Sequence, residues 1–190
     1  GIESFSAPKL TEIPSNCSNV FDYSFASCRN FTSVDLSALK YVYGNESFYY
    51  AFSSCSKLTT VSFNNLIQIG KSVNSGLTGN GEHFRGAFSD TSVTELIFPE
   101  LTTIYCDGYD SYGTFYGNNK ITSIKLPKLS VISSANTATN SVAHKNIFYN
   151  CSKLTELHFG AANQTAIEAS DGYPTLWGLG AGKAAVYFDL

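Results

Sequence analysis

Twelve residues, Phe52 to Phe63 (FSSCSKLTTVSF), recur along the chain and constrain its fold more than any other feature. Phe148 to Phe159 reads FYNCSKLTELHF, Phe115 to Leu126 reads FYGNNKITSIKL, and Phe25 to Leu36 reads FASCRNFTSVDL. Phe88 to Phe98, FSDTSVTELIF, is the same phrase one residue short. Self-similarity at a spacing of tens of residues marks a stacked repeat protein, in which no unit buries its apolar side alone.

The second half of the phrase alternates. Leu58, Val61 and Phe63 are apolar while Thr60 and Ser62 are polar, the period of a half-buried strand. Fainter copies open the chain at Ile2, Phe5 and Ala7, and close it at Trp177 and Val186-Tyr187-Phe188. Seven strands are expected, one per coil, centred on Phe5, Val34, Val61, Leu96, Ile124, Leu157 and Val186, 27 to 35 residues apart. After most strands comes an apolar pair at i, i+3: Leu10/Ile13, Leu39/Val42, Leu66/Ile69, Leu101/Ile104 and Leu129/Ile132. Before the phrase an aromatic stands four residues ahead of the repeat's ring, as in Phe21/Phe25, Phe48/Phe52, Phe84/Phe88 and Tyr173/Trp177, which predicts one face of a short helical turn. A coil thus reads strand, tight return, variable loop, helical turn. Residues 1–190 are expected to form one domain: a partial coil over 1–14 with Ile2, Phe5, Leu10 and Ile13 inward, central coils over 15–160, and a capping coil over 161–190 with a short helix in Ala161 to Asp171. The outer edge of the first strand is unpaired unless further chain precedes it.

Cys28, Cys55 and Cys151 each follow the repeat's Phe by three residues, and Thr91, Asn118 and Gly180 hold the same slot elsewhere. Small residues with a modest hydrogen-bonding group, repeated rung after rung, fit a buried ladder facing backbone groups that need partners.

These residues resemble the BspA-like class of leucine-rich repeat, whose units read AF-x-x-C-x-x-L-T-x-I-x-(L/F)-P. Ala51-Phe52, Cys55, Leu58-Thr59 and Val61-x-Phe63 match it, as do Ala87-Phe88, Phe98-Pro99 and Leu126-Pro127. The resemblance spans nearly the whole chain and departs from the family in its long, irregular loops and longer coils. It implies a solenoid, mainly β with short helical turns and one parallel strand per coil. It also implies a secreted or surface-displayed protein acting in adhesion or host interaction.

Charged residues are only 14 % of the chain and the net charge is −3, which leaves no basic footprint for nucleic acid. No apolar run approaches the ~20 residues of a membrane span. The chain opens inside a repeat and has no Met, as a mature fragment would, so its lack of a signal peptide excludes nothing. Five cysteines in regular positions look unlike a disulfide framework. Cys28 and Cys55 nevertheless fall on adjacent rungs, about 5 Å apart by strand spacing, and Cys17 and Cys106 lie in loops. Five N-x-S/T sequons, at Asn16, Asn30, Asn45, Asn150 and Asn163, would accept glycans in a eukaryotic secretory pathway.

Nothing in the sequence calls for a cofactor or a metal. The Gly-rich stretch Lys71 to Gly86 lacks the phosphate-cradle pattern. Asp107 and Asp110 supply too few oxygen ligands for calcium. His83 and His144 lie in separate loops and read as surface residues, and no catalytic or zinc spacing is present. Recognition residues are expected instead on the strand face, where the outward columns read Ser4, Ser33, Thr60, Glu95, Ser123, Glu156 and Ser6, Asp35, Ser62, Ile97, Lys125, His158. Asp35, Glu95, Lys125, Glu156 and His158 are the binding candidates there, beside a thread of threonines, Thr32, Thr59, Thr94, Thr122 and Thr155. A second candidate surface is the tyrosine-rich loop carrying Tyr105, Tyr109, Tyr112 and Tyr116, since tyrosine gives large contact area with few rotatable bonds. The expected partner is a host or matrix protein, or a glycan. The competing readings are a structural spacer within a larger surface protein and a polysaccharide-active enzyme on a parallel β-helix.

Overall fold

The computed structural model describes residues 1–70, 82–106, 113–134, 146–170, 173, 179 and 184–190, of Cys106 and Ser134 the backbone alone. Within them the alternating segments form strands β1 (Ser4–Ser6), β3 (Ser33–Asp35), β5 (Thr60–Ser62), β7 (Glu95–Ile97), β9 (Ser123–Leu126), β11 (Glu156–Phe159) and β12 (Ala185–Phe188). Each expected strand centre lies in one of them, and all their pairings are parallel, with Phe5, Val34 and Val61 in register, then Leu96, Ile124, Leu157 and Val186.

The expectation of one strand per coil needs correcting. The return segments are themselves strands: β2 (Glu12–Ile13), β4 (Tyr41–Val42), β6 (Gln68–Ile69), β8 (Thr103–Cys106) and β10 (Val131–Ser134) form a second parallel column. A single turn joins the columns in each coil, as in Leu39 N–H to Leu36 O (3.0 Å) and Leu66 N–H to Phe63 O (3.2 Å). That turn explains the i, i+3 pair, because Leu39, Leu66, Leu101 and Leu129 line the corner while Val42, Ile69 and Ile104 lie in the second column, all at 0 % exposure.

The expected helical turns are absent from the described residues, and a ribbon of successive four-residue turns stands in their place. Alternate N–H groups bond three residues back, as Ser24 does to Phe21 O and Ala26 to Tyr23 O, while those between them bond the next coil, as Phe21 does to Ser47 O, Tyr23 to Tyr49 O and Phe25 to Ala51 O. Left-handed residues fall every fourth position and align from coil to coil: Tyr23, Tyr50, Gly86, Gly117 and Asn150 form one column, and Ser27, Ser54 and Asp90 another. The four-residue aromatic spacing is therefore the period of the turns, not of a helix. Gly86 shows why glycine serves there: at φ +58° an added Cβ would lie 2.5 Å from the Tyr50 ring.

Two ring columns fill the space between ribbon and strands. Phe21, Phe48, Phe84, Phe115 and Phe148 stack at centroid distances of 5.1, 4.8, 5.7 and 5.7 Å. Phe25, Phe52 and Phe88 stack at 5.6 and 5.8 Å. Each buried phenylalanine contributes about 2–3 kcal/mol by area, so these columns carry much of the core. Phe115 thus stacks on Phe84, although strand alignment equates it with Phe88. From Phe48 to Val61 there are thirteen residues and from Phe115 to Ile124 nine, so the later coil has one four-residue turn fewer.

Asn118 closes the gap. Its Oδ1 accepts the Phe88 N–H (2.8 Å), and its Nδ2 donates to Phe84 O (3.1 Å) and Phe115 O (2.8 Å). Asn119 Oδ1 accepts the Asp90 N–H at 3.0 Å. Two side-chain amides replace the missing backbone turn.

The residue missing from the Phe88 phrase has its own consequence. Phe52 to Val61 spans nine residues and Phe88 to Leu96 eight, while the Phe52–Phe88 and Phe63–Phe98 rings stay stacked at 5.8 and 5.6 Å. The strand ladder gives way instead, and the strand face divides into a three-stranded sheet, β1-β3-β5, and a four-stranded one, β7-β9-β11-β12. At the C-terminal end a 3₁₀ turn, Ala161–Asn163, leads into helix α1, Gln164–Glu168, with Ile167 buried. At the other end Ile13 is buried but Ile2 is 56 % exposed, because it precedes β1 and no described residue stacks over it.

Candidate functional site

Strands hydrogen-bonded in register hold side chains of one face in fixed rows. In the four-stranded sheet one row is Glu95, Ser123, Glu156 and Ala185, and the next is Ile97, Lys125, His158 and Tyr187. Lys125 Nζ lies 2.7 Å from Glu95 Oε1, and that hydrogen-bonded pairing raises the ammonium pKa, with Glu156 and Asp189 adding to it. His158 Nδ1 donates to Asp189 Oδ1 at 2.9 Å, its Nε2 lies 3.4 Å from Glu156 Oε2, and its ring stacks on Tyr187 at 4.8 Å. Ile97 and Tyr187 are 47 % and 40 % exposed. Four sequence candidates, Glu95, Lys125, Glu156 and His158, are thus brought together, and the structure adds Tyr187, Asp189 and Ser123. Tyr187 was within reach of sequence reasoning, since it continues the column of Lys125 and His158 by one strand.

Asp35 stands apart on the three-stranded sheet. Its carboxylate accepts the Ser37 N–H (3.0 Å) and the Ser6 hydroxyl (3.4 Å), and the Ser37 bonds hold its pKa low. The threonine thread is exposed but bonds backbone in three places: Thr32 Oγ1 donates to Glu3 O, Thr122 to Thr94 O and Thr155 to Thr122 O, at 2.9 to 3.2 Å. Their hydroxyl protons are committed to joining coils.

Of the tyrosine-rich loop, Tyr109 and Tyr112 lie outside the described residues, as do Asp107 and Asp110. Tyr105 belongs to β8 in the second column, whereas Tyr116 lies on the turn ribbon, stacked on Tyr149 at 5.7 Å with the Arg85 guanidinium 5.3 Å from its ring centroid. Arg85 is also 5.1 Å from the Tyr49 ring centroid and pairs with Glu82 at 2.7 Å.

The ladder residues bond as follows. Cys55 Sγ donates to Phe25 O (2.9 Å), Cys151 Sγ to Phe115 O (3.1 Å) and Thr91 Oγ1 to Phe88 O of its own coil (2.9 Å). Burial raises both thiol pKa values, that of Cys151 to about 12, so neither is a thiolate nucleophile at neutral pH. Cys28 is half-buried and Cys17 exposed, both as free thiols.

His83 is not a surface residue, as its loop position implied. It is 4 % exposed, its Nδ1 donates to Gly44 O at 2.8 Å, and burial lowers its pKa to about 4. The Asp189–His158 pair imitates two-thirds of a hydrolytic triad, but the second ring nitrogen faces the Glu156 carboxylate rather than a hydroxyl nucleophile. Among the described residues no group of three metal-binding side chains is present, and no helix is long and apolar enough to cross a membrane.

Compared with known protein families, the sequence matches the one described as "BspA type Leucine rich repeat region" in six copies, over residues 2–80 and 85–170. No curated protein matches the sequence. Among solved structures it is similar to a leucine-rich repeat protein from Bacteroides ovatus ATCC 8483, at 23% identity and a TM-score of 0.37, over 80% of this chain and 37% of that one.

Proposed function

The chain belongs to the BspA-type leucine-rich repeat family, and from that premise we propose that it is a non-enzymatic recognition module, secreted or displayed at a cell surface. It binds a protein or a glycan through the four-stranded part of its strand face. One observation carries this reading: the Glu95–Lys125 pair and the Glu156–His158–Asp189 cluster lie side by side on one parallel sheet, close enough for Glu156 and Asp189 to act on the Lys125 charge, flanked by the exposed Ile97 and Tyr187. Mixed charges held by neighbours lose little conformational freedom on binding, and exposed aliphatic and aromatic groups beside them supply apolar contact. Catalysis fits poorly, because the buried thiols are protonated, His83 is sealed in the core, and the carboxylates are tied to Lys125 and His158 rather than facing one another across a groove. The test is a binding screen of the purified chain on immobilised extracellular-matrix proteins and glycans, beside a Glu95→Ala/Lys125→Ala/Glu156→Ala variant. Saturable binding that the triple variant loses while keeping its unfolding midpoint supports the proposal. Binding to nothing returns the chain to the role of a spacer.

A further inference from the structure

We infer that the four-stranded panel is a subsite for a neutral oligosaccharide, read along the stack from Ser123 to Tyr187; this rests on the recognition reading above and names its ligand class. The first observation is Ser123. It is 7 % exposed, and its Oγ is buried without a hydrogen-bond partner among the described residues. Native proteins leave few such groups, each costing about 1–3 kcal/mol. Its register neighbours on the same face are Glu95 and Glu156, whose side chains are 40% and 49% exposed. Turning one of these exposed arms away from its partner, with no shift of the sheet, is the movement by which a ligand hydroxyl would reach Ser123.

The second observation is the mixture of donors and acceptors. Glu95, Glu156 and Asp189 accept, while Lys125 and His158 donate, in two hydrogen-bonded groups on adjacent strands. A sugar hydroxyl both donates and accepts, so it is served by a site presenting both kinds of group side by side. A polycation would meet the Lys125 ammonium, and a polyanion would meet three carboxylates.

The third is Tyr187. One face of its ring is taken by His158 at 4.8 Å, yet the residue is 40 % exposed, leaving aromatic surface for the C–H-rich face of a pyranose. Ser123 and Tyr187 are two strand spacings apart, about 10 Å along the stack, the reach of a disaccharide. The three-stranded panel offers hydroxyls and one carboxylate but no aromatic ring and no charged donor, since its outward residues are Ser4, Ser33, Thr60, Ser6, Asp35 and Ser62.

The experiment titrates the whole chain with lactose, cellobiose, chitobiose and mannobiose, and separately with heparin and polylysine, reading backbone amide shifts by NMR. At least one disaccharide is expected to bind saturably, to shift amides of β9, β11 and β12, and to keep its affinity in about 0.5 M salt. Tyr187→Ala is expected to weaken it about tenfold or more, and Ser123→Ala several-fold, as loss of one hydrogen bond does. Tyr187→Ala should keep the parent's unfolding midpoint, and Ser123→Ala, which deletes the unpartnered hydroxyl, should keep or raise it. Disaccharide binding indifferent to both substitutions overturns the subsite. Binding of polylysine alone, abolished by salt, overturns the saccharide class while leaving a recognition face, now one for basic protein. If no disaccharide binds, the saccharide class falls, and the matrix-protein screen decides separately whether the face recognises anything.

Discussion

Acidification from neutral pH to about pH 5 should destabilise this protein through His83, and the size of the effect follows from its burial. An unfolded chain holds a histidine near 6.5, whereas burial lowers the folded value to about 4 even though the hydrogen bond to Gly44 O works in the opposite direction. The folded state therefore refuses a proton that the unfolded state accepts. The contribution is fully present above the unfolded pKa, is lost as pH falls towards the folded one, and stops changing below it. A shift of about 2.5 units at 1.36 kcal/mol each sets a ceiling of about 3.4 kcal/mol, of which about 2 kcal/mol is lost by about pH 5. His83→Gln can still donate to Gly44 O but does not titrate. Urea unfolding of both proteins at about pH 7.5 and about pH 5 should show the parent losing about 2 kcal/mol more than the variant. In the native parent, the His83 ring resonances should not titrate above about pH 5. Equal pH dependence of parent and variant, or a His83 resonance titrating near neutrality, would refute the reasoning.

Asn118→Ala removes three buried hydrogen bonds at once and leaves the Phe88 N–H without its acceptor; a loss of about 3 kcal/mol or more is expected in chemical denaturation, and one below about 1 kcal/mol would mean that the ribbon closes without it. Gly86→Ala places a Cβ at φ +58° against the Tyr50 ring and should cost about 1–3 kcal/mol, read from the same curves. With a thiol reagent at neutral pH and peptide mass mapping, Cys17 should label in the native protein, whereas Cys151, its thiol raised to about 12, should label only after unfolding.

The strand column was legible because it repeats a two-residue alternation about a fixed centre, and one residue per strand, such as Leu96 or Ile124, must be apolar wherever it recurs. The second column was not, because Glu12–Ile13 and Tyr41–Val42 are too short to alternate. The turn ribbon imitated a helix, since rings four apart satisfy either geometry. Its true signal was Asn19, Ser27, Ser54, Gly86, Asp90, Gly117 and Asn150 at the left-handed positions, residues that tolerate that conformation. Tyr23 and Tyr50 masked the pattern; their rings stack at 5.4 Å and 6°, which offsets the strain of a bulky left-handed residue. On the strand face, counting columns placed Glu95, Lys125, Glu156 and His158, and stopping one strand early missed Tyr187. That the Ser123 hydroxyl has no partner among the described residues is a property of packing, invisible to any count. Asn118 read as another cysteine-like rung because alignment on the strand hides the turn deleted before it.

The amides of Asn118 and Asn119 have a consequence for how the chain finds its structure. Near-identical coils invite slippage, in which one repeat docks a place too early and still buries its rings. Here the column of Phe25, Phe52 and Phe88 ends at Asn118, so the stack tapers from coils with three left-handed turns to coils with fewer. A coil displaced by one place would set the backbone donors of Phe88 and Asp90 against a coil without those amides, or press an extra turn where none fits. The two asparagines thus act as a key cut into an otherwise repetitive lock, giving each coil an address and penalising the misthreaded states that a perfect repeat would leave nearly degenerate with the native one.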